Sequence, residues 1–261
     1  MERSHPQMFT SFDGTGISFE VWGPTDGLGP VVLNHGFAVD TRVNWLLTGV
    51  VDRLTEEGFT VIGMDARGHG RSDKPHDATR YGEDTMARDV SALLDELELG
   101  RVDVVGYSMG AVVSIVLAIG DRRIRNLVAG GVGHAVVERG GLDTGTVSNI
   151  AIAEALLSDD PEVTSQPDVA GFRALADFTG ADRRALAAIA RATRSGPMAL
   201  EEISARTLVI AGADDPLAAS PEILAGAIAD ARLVKVPGDR LGAVGESSFV
   251  DTIVRFLREG Q

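Results

Sequence analysis

The chain has no cysteine, few aromatic residues and no long apolar run. Without cysteine it cannot form a disulfide, a thiolate metal site or a cysteine nucleophile. Its longest largely apolar stretch, residues 111–119, is much shorter than the ~20 residues that a membrane-spanning helix needs. The first nine residues are polar and contain Pro6, which does not suit a signal peptide. We therefore expect a cytoplasmic protein without a membrane partner.

Basic residues are also scarce, with 24 Lys and Arg against 38 Asp and Glu and a net charge of −14. Such an acidic chain repels phosphate backbones and has no dense basic run, so we expect no nucleic-acid partner. The five histidines are spread along the chain without metal-ligand spacing, so we expect no metal and no other cofactor. The sequence is compatible with a homodimer.

Short apolar, β-branched runs alternate with longer amphipathic ones along most of the chain. This alternation is typical of a mostly parallel sheet with helices on both faces. A helical pattern covers residues 83–99, and another covers residues 249–257. We therefore predict an α/β fold with eight strands, at residues 7–13, 17–22, 31–34, 60–64, 102–107, 124–130, 207–211 and 231–236.

Residues 138–203 interrupt this alternation. The segment is alanine-rich, contains no good strand pattern and is broken by Pro161, Pro167 and Gly180. It reads as several short helices, which predicts a helical cap inserted over one end of the sheet. The α/β core would then consist of residues 1–137 and 204–261.

A buried strand at residues 102–107 ends in the pattern Gly106-Tyr107-Ser108-Met109-Gly110 and is followed at once by a helical run. In this strand–turn–helix context, G-x-S-x-G is typical of a nucleophile elbow, whose sharp turn lifts the serine to the end of the sheet. Ser108 is therefore the candidate nucleophile.

Acyl transfer also needs hydrogen-bond donors aimed at the developing oxyanion. In an elbow, one donor is the backbone N–H of the residue after the serine, here Met109. The loop after an earlier strand supplies the second. His35-Gly36-Phe37 follows the strand at 31–34, and Phe37 is the best placed residue.

These segments together resemble the α/β-hydrolase superfamily, in its branch of esterases, C–C-bond hydrolases and haloperoxidase-like proteins. The resemblance rests on residues 35–37, 63–72, 106–110 and 207–216, which span the chain outside the cap. It implies a triad in the order serine, acid, histidine. Asp215 matches the acid, and Asp214 offers a poorer register.

The histidine of that triad is missing. The resemblance places it after the last strand, between an aspartate and a leucine, and Arg240 occupies this position. Arginine has no acceptor and a pKa above about 12, so it cannot take the serine proton at neutral pH. It can pair with a carboxylate, and we predict an ion pair between Arg240 and Asp215.

Another histidine is a candidate substitute base. His134 follows the strand at 124–130 and should emerge near the same edge of the sheet as the serine. It would serve as a base if Glu138 or an aspartate oriented it, or it would simply contact a substrate. His35 and His69 lie in glycine-containing turns, which favours structural roles, and His76 is expected in a solvated loop.

These observations predict a serine hydrolase for an ester, thioester, lactone or activated C–C bond, with weak or atypical turnover. A hydrolase-derived binding or receptor-like protein, or a non-hydrolytic cyclase or lyase, would use the same pocket. In each case the partner is a small apolar or amphipathic molecule between cap and sheet. Phe172, Leu175 and Phe178 could line the cap's inner face, although a helical core explains them equally well.

Overall fold

The computed structural model describes residues 5–141, 147–193 and 195–260, and its strands lie in a single sheet. The strands are β1 (Gln7–Thr10), β2 (Gly16–Trp22), β3 (Pro30–Asn34), β4 (Thr60–Met64), β5 (Val102–Tyr107), β6 (Ile124–Gly130), β7 (Arg206–Gly212) and β8 (Ala231–Val236). Their order across the sheet is β1-β2-β4-β3-β5-β6-β7-β8. The pairs β1–β2 and β2–β4 are antiparallel, and every other pair is parallel. The predicted eight-stranded, mostly parallel sheet is confirmed.

Helices connect the strands. They are α1 (Val50–Glu56), α2 (Glu83–Glu96), α3 (Met109–Gly120), α4 (His134–Arg139), α5 (Asn149–Leu157), α6 (Pro161–Thr164), α7 (Pro167–Thr179), α8 (Arg183–Ala192), α9 (Pro221–Ala227) and α10 (Ser247–Arg258). In the described ranges, none of them is long and apolar enough to cross a membrane.

Successive residues of a strand point to opposite faces of the sheet, and in the inner strands the residues on both faces are mostly apolar and buried. In β3, Val31 and Leu33 join an apolar cluster with residues of α1 and α10, including Phe249. Val32, between them, joins the cluster on the other face, with α2 and α3. Continuous apolar strands are therefore expected here, and the alternation seen in half-exposed strands is absent.

The first strand is shorter than predicted. It was expected to reach residue 13, but β1 ends at Thr10. The next residues form a tight turn in which the N–H of Gly14 donates to the carbonyl of Ser11 at 3.0 Å. Gly14 has a φ of 84°, which a residue with a side chain rarely adopts. Asp13 therefore lies within the turn and not in the strand.

A buried ion cluster fixes the loop after β4, in the segment 63–72 that carried part of the family resemblance. The Arg67 guanidinium donates to both carboxylate oxygens of Asp89, each at 2.6 Å, and to Asp13 at 2.9 Å. Arg67 and Asp89 are fully buried. Because a buried charge needs a partner with good geometry, this cluster holds the loop in one position.

The loops that carry the candidate site residues follow the carboxyl ends of parallel strands, which lie at one edge of the sheet. Helices α4 to α8 are inserted between β6 and β7. Residue 138, where the cap was expected to begin, lies inside α4. In α7, the Thr179 hydroxyl donates to the Ala38 carbonyl at 3.0 Å, which ties the inserted helices to the loop after β3.

Candidate active site

Ser108 lies in a strained turn between β5 and α3, with φ 55° and ψ −118°. Its N–H donates to the Gly130 carbonyl at 2.8 Å, and the residue is only 7% exposed. The turn requires glycine on both sides. A Cβ on Gly106 would lie 2.3 Å from the carbonyl oxygen of Gly110, and one on Gly110 would lie 2.1 Å from that of Asn34. This is the geometry of a nucleophile elbow.

The loop after β3 passes directly against the serine. A Cβ built on Gly36 would lie 3.6 Å from the Ser108 Cβ, which is ordinary contact. The Gly36 N–H donates to Asn44 Oδ1 at 2.8 Å, which fixes the loop. Among the described residues, the N–H groups of Phe37 and Met109 have no acceptor. The two amides expected to serve as oxyanion donors are therefore available to a ligand.

Arg240 connects the serine to the buried carboxylate. Its Nη2 donates to Ser108 Oγ at 3.1 Å, and its Nη1 donates to Asp215 Oδ2 at 3.0 Å and Oδ1 at 3.3 Å. Nη1 also lies 3.3 Å from the Gly131 carbonyl oxygen. The Asp215 side chain is fully buried and that of Arg240 is 17% exposed. The ion pair expected between them is thus present, whereas Asp214, the alternative register, is exposed.

A contact that sequence reasoning missed holds the backbone of Arg240. The Tyr107 hydroxyl donates to the Arg240 carbonyl at 2.6 Å. Burial raises the pKa of Tyr107 above its ordinary value, so the phenol stays a donor. Tyr107 is the variable second residue of the G-x-S-x-G pattern, and its aromatic hydroxyl beside the serine was the available signal.

His134 makes its contacts outside the serine pocket. Its Nδ1 lies 3.0 Å from the Ala219 carbonyl oxygen, and its Nε2 lies 3.8 Å from the Glu138 carboxylate. It is not among the described residues that line the cavity at Ser108. The expected proximity to Glu138 is therefore present, but the structure does not bring this imidazole to the serine.

Two other histidines brace the loop after β3. His35 donates from Nδ1 to the Gly36 carbonyl at 2.8 Å and accepts at Nε2 from the Ala66 N–H at 3.0 Å. His69 accepts from the Ala38 N–H at 3.2 Å. Burial, with the neighbouring His35 as a second cause, holds the pKa of His69 well below its ordinary range. Both ring nitrogens of each imidazole therefore lie within hydrogen-bonding distance of a backbone group.

His76 was expected in a solvated loop. It is partly exposed, but its Nε2 lies 2.9 Å from the Asp182 carboxylate, at the start of α8. It therefore connects the loop after β4 to the inserted helices.

A cavity of about 260 Å³ opens beside Ser108. Arg240 lines it together with an apolar wall that includes Phe37, Val43, Phe172, Leu175, Leu241 and Val244. The rings of Phe37 and Phe172 meet edge to face at 6.1 Å. Beyond Phe37, Met109 and Phe172 lies a narrower apolar space of about 40 Å³. Both spaces suit an apolar ligand.

The prediction that Phe178 could line the inner face of the cap is wrong. Phe172 and Leu175 line the cavity, but Phe178 is 81% exposed. An α-helix turns about 100° per residue, so positions three apart drift steadily around its surface. Phe178, six residues after Phe172, is rotated about 120° away from it.

No group of three or more His, Asp or Glu in the described ranges could hold a metal ion. The polar groups around Ser108 Oγ are one guanidinium, one carboxylate and two backbone amides, and Asn44, Thr48 and Tyr107 add polar side chains to the cavity wall. Such a set can position an ester and stabilise an oxyanion, but it contains no neutral base within reach of the serine.

Part of the chain is similar in sequence to known proteins. A family model described as the alpha/beta hydrolase fold matches residues 29–138. A non-heme chloroperoxidase from Streptomyces lividans is 43% identical over 103 residues, which are 39% of this chain and 34% of that protein. This chain spans about a third of the length of the curated relatives it matches.

Solved structures match over nearly the whole chain. A hydrolase from Pseudomonas aeruginosa superposes with a TM-score of 0.80 at 28% identity, covering 97% of this chain and 98% of that one. An esterase from Exiguobacterium antarcticum has a TM-score of 0.79 at 25% identity, covering 97% and 100%. The chain therefore has the α/β-hydrolase fold.

Proposed function

We propose that the protein is a serine hydrolase of carboxylic esters or related acyl or C–C bonds, with slow turnover because an arginine occupies the position of the general base. One observation carries this proposal. Arg240 contacts both Ser108 Oγ, at 3.1 Å, and the Asp215 carboxylate, at 3.0 Å, so it lies where a triad imidazole would lie.

The proposed roles follow from the contacts. Ser108 attacks the acyl carbon, so an Oγ–C bond forms while the bond to the leaving group breaks. Water then attacks the acyl-serine, which breaks the Oγ–C bond, releases the acid and restores the serine hydroxyl. The N–H groups of Phe37 and Met109 stabilise the oxyanion. Asp215 holds Arg240 in place, and the substrate is a small apolar or amphipathic molecule in the cavity beside Phe172.

Removal of the Ser108 hydroxyl proton is the slow part of this reaction, because the site has no base to accept it. An imidazole would accept it and return it to the leaving group, which contributes about 10²–10⁴-fold to the rate. A guanidinium offers only donors, so Arg240 has no lone pair that could accept this proton. The serine proton therefore passes to hydroxide or water and the leaving group is protonated by water, so turnover rises with pH.

The same contact favours a second candidate, a binding or receptor-like protein without turnover. Nη2 of Arg240 donates to Ser108 Oγ, so a lone pair needed for attack is engaged in a hydrogen bond. The pocket and its two free amides would still hold a ligand.

Ester hydrolysis separates the two candidates. We expect wild-type protein to hydrolyse p-nitrophenyl acetate slowly, with a rate that increases from about pH 6 to about pH 9 and is lost in Ser108→Ala. Ser165→Ala, at an exposed serine after α6, is the matched control and should retain the rate. Equal rates in wild type and Ser108→Ala would refute the hydrolase and leave the binding protein.

A further inference from the structure

The guanidinium of Arg240 has N–H groups without a partner among the described residues. Arginine offers five N–H groups. The two on Nη1 reach Asp215 and the Gly131 carbonyl, and one on Nη2 reaches Ser108 Oγ. Within the part of the chain that the structure describes, Nε and the second Nη2 hydrogen have no acceptor. Arg240 therefore keeps two N–H groups with which its guanidinium can donate to a carboxylate.

The surrounding groups are also donors. The Ser108 oxygen accepts from Arg240, and its own hydrogen has no acceptor among the described residues. The amides of Phe37 and Met109 are equally free in those ranges. Asp215 and the Gly131 carbonyl are nearby acceptors that Arg240 already engages, and Asp215 also accepts from the Leu217 N–H at 3.0 Å.

A cluster of donors without acceptors in a largely enclosed pocket selects its ligand. Each donor left unpaired on desolvation is unfavourable, and a hydrogen bond to a charged acceptor is stronger than one between neutral groups. The chemistry that satisfies several donors at once, and brings none of its own, is an ionised carboxylate.

We propose that the unpaired N–H groups of Arg240 bind the carboxylate of a small apolar carboxylic acid whose body fills the cavity beside Phe172 and Leu175. A protein cavity of about 150 Å³ holds benzene. The cavity of about 260 Å³ therefore has room for one ring, a short chain and the carboxylate. The inference rests on the proposed function, because it assigns a ligand class to the same pocket, in which such an acid corresponds to the acyl product.

The test compares an acid with its neutral isostere by isothermal titration calorimetry. We expect 4-phenylbutyrate to bind wild-type protein at least about tenfold more tightly than 4-phenylbutyramide, since the amide loses the charge-assisted pair. Arg240→Gln should reduce this preference to about twofold or less, and Arg240→Lys should retain part of it because lysine keeps the charge but not the guanidinium.

Arg232→Gln is the control for loss of a positive charge. Arg232 is an exposed arginine of β8 that pairs with Glu259, so its loss should leave the tenfold preference unchanged. The inference is overturned if the acid does not bind at millimolar concentration, if the amide binds equally well, or if Arg240→Gln keeps the full preference.

Binding and turnover are read separately. Tight, Arg240-dependent binding of the acid in a protein without Ser108-dependent ester hydrolysis supports the inference and refutes the proposed hydrolase. Hydrolysis that depends on Ser108, without any preference for the carboxylate, supports the proposed hydrolase and overturns the inference about carboxylate binding.

Discussion

Replacing Arg240 with histidine should supply the base that the site lacks. The guanidinium now contacts Ser108 Oγ with one nitrogen and the buried Asp215 carboxylate with another. A neutral imidazole also has two nitrogens, and in this position Nδ1–H would donate to Asp215 while Nε2 accepts the serine proton. The Tyr107 hydroxyl, which donates to the carbonyl of residue 240, should keep the backbone in place.

We expect Arg240→His to raise kcat/KM for p-nitrophenyl acetate by at least about tenfold. A positioned general base contributes about 10²–10⁴-fold. The expected gain is set lower, at about tenfold, because the loop around residue 240 has packed around a longer side chain. The gain should disappear as pH falls through the imidazole pKa, ordinarily about 6.5 and raised by the neighbouring carboxylate.

Arg240→Gln is the control, because it removes the guanidinium without adding a base. The reasoning is refuted if Arg240→His gives no gain, since residue 240 would then not occupy the position of the base. It is also refuted if Arg240→Gln gains as much, since the guanidinium would then merely obstruct the serine. The double variant Arg240→His with Ser108→Ala should be inactive.

Three further predictions concern stability, each measured by urea unfolding. Gly110→Ala should lose about 3 kcal/mol, because its Cβ would lie 2.1 Å from the backbone carbonyl oxygen that ends β3. Gly120→Ala in the same helix, where nothing lies within 4 Å, should change stability by less than about 0.5 kcal/mol. Asp215→Asn should lose about 2 kcal/mol, because it leaves a largely buried guanidinium without its ion pair, whereas the exposed Asp214→Asn should be near neutral. Burial depresses the pKa of His69 in the folded state, so the unfolded chain binds more protons below about pH 6.5 and stability is lost as pH falls. His69→Gln should therefore weaken the loss of stability on acidification; an unchanged pH dependence would contradict this prediction.

The fold was largely predictable because its signals are local. Strands buried on both faces appear as continuous apolar runs, and the elbow at Ser108 combines a strand, two close-packed glycines and a helix. The ion pair of Arg240 with Asp215 was also predictable, because the resemblance placed both residues after neighbouring parallel strands.

Other features depend on three-dimensional detail that spacing does not encode. Tyr107 contacts the carbonyl of a residue more than a hundred positions away, which no local pattern indicates. Phe178 shares a spacing of three with Phe172 and Leu175 but has rotated out of the cavity. The unpaired N–H groups of Arg240 could be identified only once the partners of its other N–H groups were known.

The pH dependence of Ser108 labelling tests the central claim most directly. Wild-type protein is treated with a fluorophosphonate, and the rate of adduct formation at Ser108 is measured by intact mass. We predict a rate that keeps rising to about pH 9, because no imidazole takes the serine proton. A plateau above about pH 7 with an inflection near an ordinary histidine pKa, abolished by His134→Ala, would contradict the account.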